Sequence, residues 1–128
     1  MAKKTKFDGT FTIDGKAYEL KLDYQGVKYL NKIYEGGTFE LISKALMGDF
    51  DAFPHIVRAA LIHTGENFTL DQIEKAISDA IENEELDMEA ILLISNKLVT
   101  DNFFYKTTVN KLLKDNPEAL ELLKKLTD

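Results

Sequence analysis

The strongest constraint on the fold is the dipeptide Asp14-Gly15 between two stretches of alternating apolar residues. Phe11 and Ile13 precede it, and Tyr18, Leu20 and Leu22 follow it. This is the local signature of a two-residue β-hairpin turn. With Asp14 and Gly15 as the loop, Ile13 pairs with Lys16, Phe11 with Tyr18, Gly9 with Leu20 and Phe7 with Leu22. One face then carries Phe7, Phe11, Tyr18, Leu20 and Leu22. A lone two-stranded ribbon is marginal in water, so that face must pack on another layer.

The rest of the chain supplies the layer as helices. Asp23 caps a first helix with Val27, Leu30 and Ile33 or Tyr34 at helical spacing, ended by Gly36-Gly37. Thr38 is placed to cap a second, with a stripe of Phe39, Leu41, Ile42, Ala45 and Leu46 that stops at Gly48. A third follows Asp51, with Pro54 in its first turn and Phe53, Ile56, Val57, Ala60 and Leu61 as its stripe. Thr69 and Gln72 match a capping box, flanked by Phe68 and Ile73 as a hydrophobic staple, and open a fourth helix. Its expected buried residues are Leu70, Ile73, Ile77, Ala80 and Ile81. Beyond the acidic connection Glu82 to Glu85, the period of Met88, Ile91, Leu92, Leu98, Val99 and Phe103 predicts a helix as far as Tyr105. The β-branched Thr107, Thr108 and Val109 leave two readings, one helix reaching Lys114 or two pieces broken near Lys106. Asn116 and Pro117 open a last helix to Leu126.

The expected class is therefore mainly α (α+β): an N-terminal β-hairpin packed on a bundle of about five to six helices. Residues 1–128 read as a single domain, hairpin over 1–22 and helices over 23–128, with no repeat or linker to divide them. With 128 residues, 45% hydrophobic, the chain is long enough for one real core.

Charge and composition exclude several functions. No cysteine is present, which removes disulfides, thiolate nucleophiles and cysteine-held metals. The net charge is −6, and the span Glu66 to Asp101 holds ten acidic residues against Lys75 and Lys97. Such a surface repels phosphate, which argues against a nucleic-acid-binding repressor. The basic cluster Lys3, Lys4, Lys6 reads as a solvated terminus. No apolar run is long enough for a membrane span or a signal peptide, so the expected location is the cytoplasm.

Catalytic and metal-binding patterns are not readable either. His55 and His63 lie eight residues apart on one predicted helix, about 12 Å along its axis, too far to share an ion. Glu66 and His63 define the one enzyme alternative, a hydrolase that would need both turned into a pocket. Asp49-Phe50-Asp51 lacks the later ligands of a calcium loop. Ser43, Ser78 and Ser95 fall inside predicted helices, outside any nucleophile-elbow pattern. No phosphate-binding glycine motif occurs. The expected catalytic residues, cofactors and metal ligands are accordingly none, and the function expected is protein binding.

Two apolar features point to a partner. Phe103, Phe104 and Tyr105 are consecutive, so on a helix they cannot share one face. Leu120, Leu122, Leu123 and Leu126 form a stripe on the last helix that can dock on the chain itself or into another protein's groove. These seven residues, with the apolar part of the Leu86 to Tyr105 helix, are the candidate partner-binding surface.

The hairpin built on Ile13-Asp14-Gly15-Lys16-Ala17-Tyr18-Glu19-Leu20-Lys21, the aromatic helix entry at Tyr24, the Gly48-Asp49-Phe50-Asp51-Ala52 turn before Ile56 to Leu61, and the segment Phe68-Thr69-Leu70-Asp71-Gln72-Ile73 resemble the tail assembly chaperones of long-tailed bacteriophages and prophages. The resemblance spans roughly Ile13 to Ile81. It implies a small protein of the bacterial host cytoplasm that coats the tape measure protein and assists polymerisation of the tail tube, with the tail tube protein as a second partner. It also implies no catalysis, no membrane and no nucleic acid, leaves self-association open, and carries the family habit of a longer frameshifted form. A non-enzymatic adaptor or regulatory module of another system is the alternative.

Overall fold

In the computed structural model, residues 8–115, 117, 118 and 121 are described. Phe7, Asn116, Leu120, Leu122, Leu123 and Leu126, named above, lie outside them. Strand β1 (Thr10–Ile13) pairs antiparallel with β2 (Lys16–Glu19) in the expected register, Ile13 opposite Lys16 and Phe11 opposite Tyr18. Asp14 and Gly15 both have positive φ, 52° and 80°, as a type I′ turn requires. The Leu20 N–H donates to Gly9 O at 2.8 Å and extends the ladder by one bond. Phe11, Leu20 and also Ile13 are buried, while Tyr18 and Leu22 are half-buried.

Six α-helices follow among the described residues: α1 (Tyr24–Ile33), α2 (Gly37–Met47), α3 (Phe53–Leu61), α4 (Leu70–Glu82), α5 (Met88–Ser95) and α6 (Lys106–Asp115). The architecture is mainly α with an N-terminal hairpin. α3 is the hub: Phe53, Ile56, Val57, Ala59, Ala60 and Leu61 are almost wholly excluded from water, and α1, α4 and α5 all pack on it. The hairpin closes over this helix. Phe11 meets Phe53 edge to face at 6.5 Å and Tyr18 meets Phe68 at 5.0 Å. The Lys21 N–H donates to Ala60 O at 2.9 Å, so the hairpin exit is bonded to the end of α3.

α1 approaches α3 closely because Gly26 has no side chain. A Cβ there would lie 2.6 Å from Ala59 O and 2.7 Å from Leu22 Cδ1. Gly48 plays a related part at the end of α2: its φ is +65°, and a Cβ would meet Leu92 Cδ2 at 2.6 Å.

Side-chain caps set three of the six α-helix starts. Asp23 accepts from the Gly26 N–H at 3.1 Å, Asp87 from the Ala90 N–H at 2.8 Å, and Thr69 with Gln72 forms the expected capping box at 3.1 and 2.8 Å. Two starts differ from expectation. α2 begins at Gly37, before Thr38, and the Gly36 N–H is satisfied by Glu40 Oε1 at 3.0 Å instead of by a threonine cap. At α3 the side chain that takes an orphan amide is Asp49, from Ala52 at 2.9 Å, and Asp51 stands exposed. Two expected core residues also differ: Phe39 is 55% and Ile81 41% exposed, because each lies at the edge of its stripe, where no neighbouring helix covers it.

The largest departure follows α5. The expected helix to Tyr105 widens into a π turn at Asn96–Thr100 and ends, and α6 starts anew at Lys106, so of the two readings the one with two pieces broken near Lys106 is found and the one helix to Lys114 is not. Buried hydrogen bonds accompany the distortion. Asn96 Nδ2 donates to Leu92 O at 2.7 Å and to Ala45 O at 3.3 Å, while Thr100 Oγ1 donates to Asn96 O at 2.7 Å. The neighbouring Ser95 Oγ is buried without a hydrogen-bond partner among the described residues. After Asp101, the extended Asn102 starts a 3₁₀ turn, Phe103–Tyr105, that leads into α6.

Candidate functional site

The histidines are structural in their contacts. His63 Nε2 lies 2.7 Å from Glu19 O, and since a carbonyl only accepts, the ring donates and ties α3's end to the hairpin. Glu66 stands exposed, and its N–H donates to Thr64 Oγ1 at 3.2 Å. Arg58 Nη1 donates to Tyr29 Oη at 3.1 Å, which directs the phenol proton toward His55 Nδ1 at 3.0 Å. Burial, and then the Arg58 charge, hold the His55 pKa below 6.5 against the opposing Glu74. Among the described residues no group of three or more His, Asp or Glu side chains is placed to hold a metal ion.

A groove of about 570 Å³ runs between the starts of α1 and α2 and the turn after Asp101. Its floor is Leu30, Leu41 and Tyr105, each at most 2% exposed; its upper rim is Tyr24, Phe103 and Phe104, at 70%, 95% and 66%. Desolvation of the Tyr105 phenol pushes its pKa up to about 12, so the floor is uncharged at neutral pH. Asn102 builds the rim. Its Nδ2 donates to Leu22 O at 3.2 Å and its Oδ1 accepts from the Phe104 N–H at 2.9 Å, pinning the turn to the strand exit. Phe104 in turn stacks edge to face on Tyr105 at 5.2 Å. Leaving a phenylalanine in water forgoes about 1.5–3 kcal/mol of burial free energy, and three neighbouring exposed aromatics make an apolar patch suited to a partner.

Of the expected surface residues, then, Phe103 and Phe104 lie on this rim and Tyr105 beneath it. Much of the Leu86 to Tyr105 stripe is not surface at all: Leu86, Ala90, Ile91, Ile94, Leu98 and Val99 are buried in the core. The sequence reading missed Tyr24 and Asn102 as parts of the groove. Its one usable signal was an aromatic at the first position of α1, off the Val27 and Leu30 stripe.

The model of a protein family, the phage tail assembly chaperone proteins (TAC), matches residues 10–114. The chain belongs to this family. The matched span runs from β1 to the penultimate residue of α6 and takes in every residue of the groove. No curated protein and no solved structure matches it. Among the described residues no helix is long and apolar enough to cross a membrane.

Proposed function

We propose that this tail assembly chaperone binds the tape measure protein through the Tyr24, Phe103 and Phe104 groove and keeps it soluble while the tail tube assembles around it. The observation that supports the reading is the 95% exposure of Phe103 over a neutral, buried floor. A tape measure protein is expected to expose long apolar helical stripes before assembly, and an aromatic-rimmed groove accepts such a stripe by its i, i+3 and i+4 side chains. In this reading the protein works by binding and release in the host cytoplasm, catalyses nothing, and meets the tail tube protein in the same assembly. The Leu120, Leu122, Leu123 and Leu126 stripe is proposed as a further contact from its sequence pattern alone.

The test is co-expression with the tape measure protein of the same phage. The wild-type chaperone should hold it in the soluble fraction, and the double variant Phe103→Ser/Phe104→Ser should lose that ability while keeping its own helical circular dichroism. A tape measure protein that stays insoluble beside the wild-type chaperone overturns the proposal.

A further inference from the structure

On another part of the surface, the turn before α3 and the second half of α4 enclose a smaller apolar notch of about 330 Å³. Its floor is Pro54 and Ile77, both buried, and its lip is Phe50 and Ile81, 54% and 41% exposed. Three carboxylates, Asp51, Glu74 and Glu82, complete the lining. Among the described residues none of the three is in a salt bridge. Lys75 pairs first with Asp79 at 3.1 Å and only more weakly with Glu82, and Arg58 donates to Phe68 O and Tyr29 at 3.0 and 3.1 Å.

The lining selects the occupant. An apolar floor disfavours a purely ionic ligand, and three carboxylates outside any salt bridge among the described residues repel nucleic acid and anionic lipid surfaces. A second copy of the chain, at net charge −6, would bring its own acids against this rim. We infer that the notch is a second docking site, for a protein segment in helical form that carries an aliphatic anchor flanked by Lys or Arg. The anchor fills the space between Phe50 and Ile81, and the flanking cations meet Asp51, Glu74 and Glu82. This site is separate from the groove at Phe103 and takes a different chemistry.

A synthetic amphipathic peptide of about 18 residues, leucine on one face and lysine on the other, tests it against a twin with glutamate for every lysine. Binding to the full chain is read by calorimetry. The lysine peptide should bind and the glutamate twin should not. Asp51→Asn/Glu74→Gln/Glu82→Gln should weaken binding about tenfold, as three rim charges together would. Phe50→Ala/Ile81→Ala should weaken it by a similar factor with the charge unchanged. Equal neutralisation outside the lining, Glu66→Gln/Asp115→Asn/Glu118→Gln, should change it less than about threefold, since no charge of the notch is lost. Phe103→Ser/Phe104→Ser should leave it intact, which separates this site from the tape measure proposal. Absence of binding by the lysine peptide, equal binding of the twin, an equal loss in the control triple, or a loss confined to the Phe103 and Phe104 variant would each overturn the inference.

Discussion

Replacing Gly26 with alanine probes the contact on which the position of α1, and so one wall of the groove, depends. The added Cβ would stand 2.6 Å from Ala59 O and 2.7 Å from Leu22 Cδ1. Relaxed contacts between heavy atoms are about 3.5–4 Å, so roughly 1 Å must be found. Leu22 can turn away. Ala59 O belongs to the backbone of a fully buried helix, so α1 must move instead. Overpacking of this kind costs about 1–3 kcal/mol, and the rigid partner places the site in the upper half of that range. Alanine returns about 1 kcal/mol of helix propensity relative to glycine. The net expectation is a loss of about 1–2 kcal/mol, seen as a lower urea midpoint with unchanged slope and a Tm lower by about 4–8 °C. Gln25→Ala, at the exposed position one residue earlier in α1, is the control and should change stability by less than about 0.5 kcal/mol. A Gly26→Ala protein at least as stable as wild type would refute the close-crossing argument.

Two other outcomes follow from the same geometry. His55 has a folded pKa below the unfolded 6.5, so the unfolded chain takes up the proton first. Its contribution to stability is complete above pH 6.5 and declines as pH falls from 6.5 through the folded pKa; urea midpoints at pH 7.5 and 5.5 should show the decline, and His55→Asn should lack that part of it. An NMR titration placing His55 above 6.5 would contradict the assignment. Asn102→Ala removes hydrogen bonds to Leu22 O and from the Phe104 N–H and should cost about 1–2 kcal/mol, with faster hydrogen exchange at Phe104; unchanged exchange there would show that the turn is held by something else.

What could be read from the sequence was whatever is encoded within a few residues. The Asp14-Gly15 turn dictates its register by its own dihedral angles, and Thr69 with Gln72 satisfies its amides within one helical turn, so both stand as expected. Periodicity identified the stripes of α3 and most of α4, but a stripe has no information about where its covering neighbour ends. Phe39 and Ile81 are therefore exposed at stripe edges. Gly26 was invisible for a related reason: a missing side chain matters only once a second helix is known to cross it. The groove and the notch each join segments distant in sequence, Tyr24 with Phe103 and Phe50 with Ile81, and local pattern cannot pair them.

The π turn shows how one local distortion produces the candidate site. In a continuous α-helix Phe103, four residues after Val99, would project about 40° from it, on the face where Val99 is fully buried. Tyr105, seven residues after Leu98, would lie within about 20° of that buried side chain and so would also face the core. The structure keeps Tyr105 buried, at 2% exposed, and turns Phe103 out, at 95%. The widened turn at Asn96–Thr100 and the extended Asn102 together turn Phe103 out to the rim, while Tyr105 stays beneath the groove. Asn96 and Thr100 stand four residues apart in an otherwise apolar stretch, where unbonded they would be costly to bury. The hydrogen bonds that Thr100 Oγ1 donates to Asn96 O and Oδ1 offset that cost within the widened turn. The interruption of the helix at this polar pair therefore accounts for an aromatic rim that a regular helix would have hidden in the core.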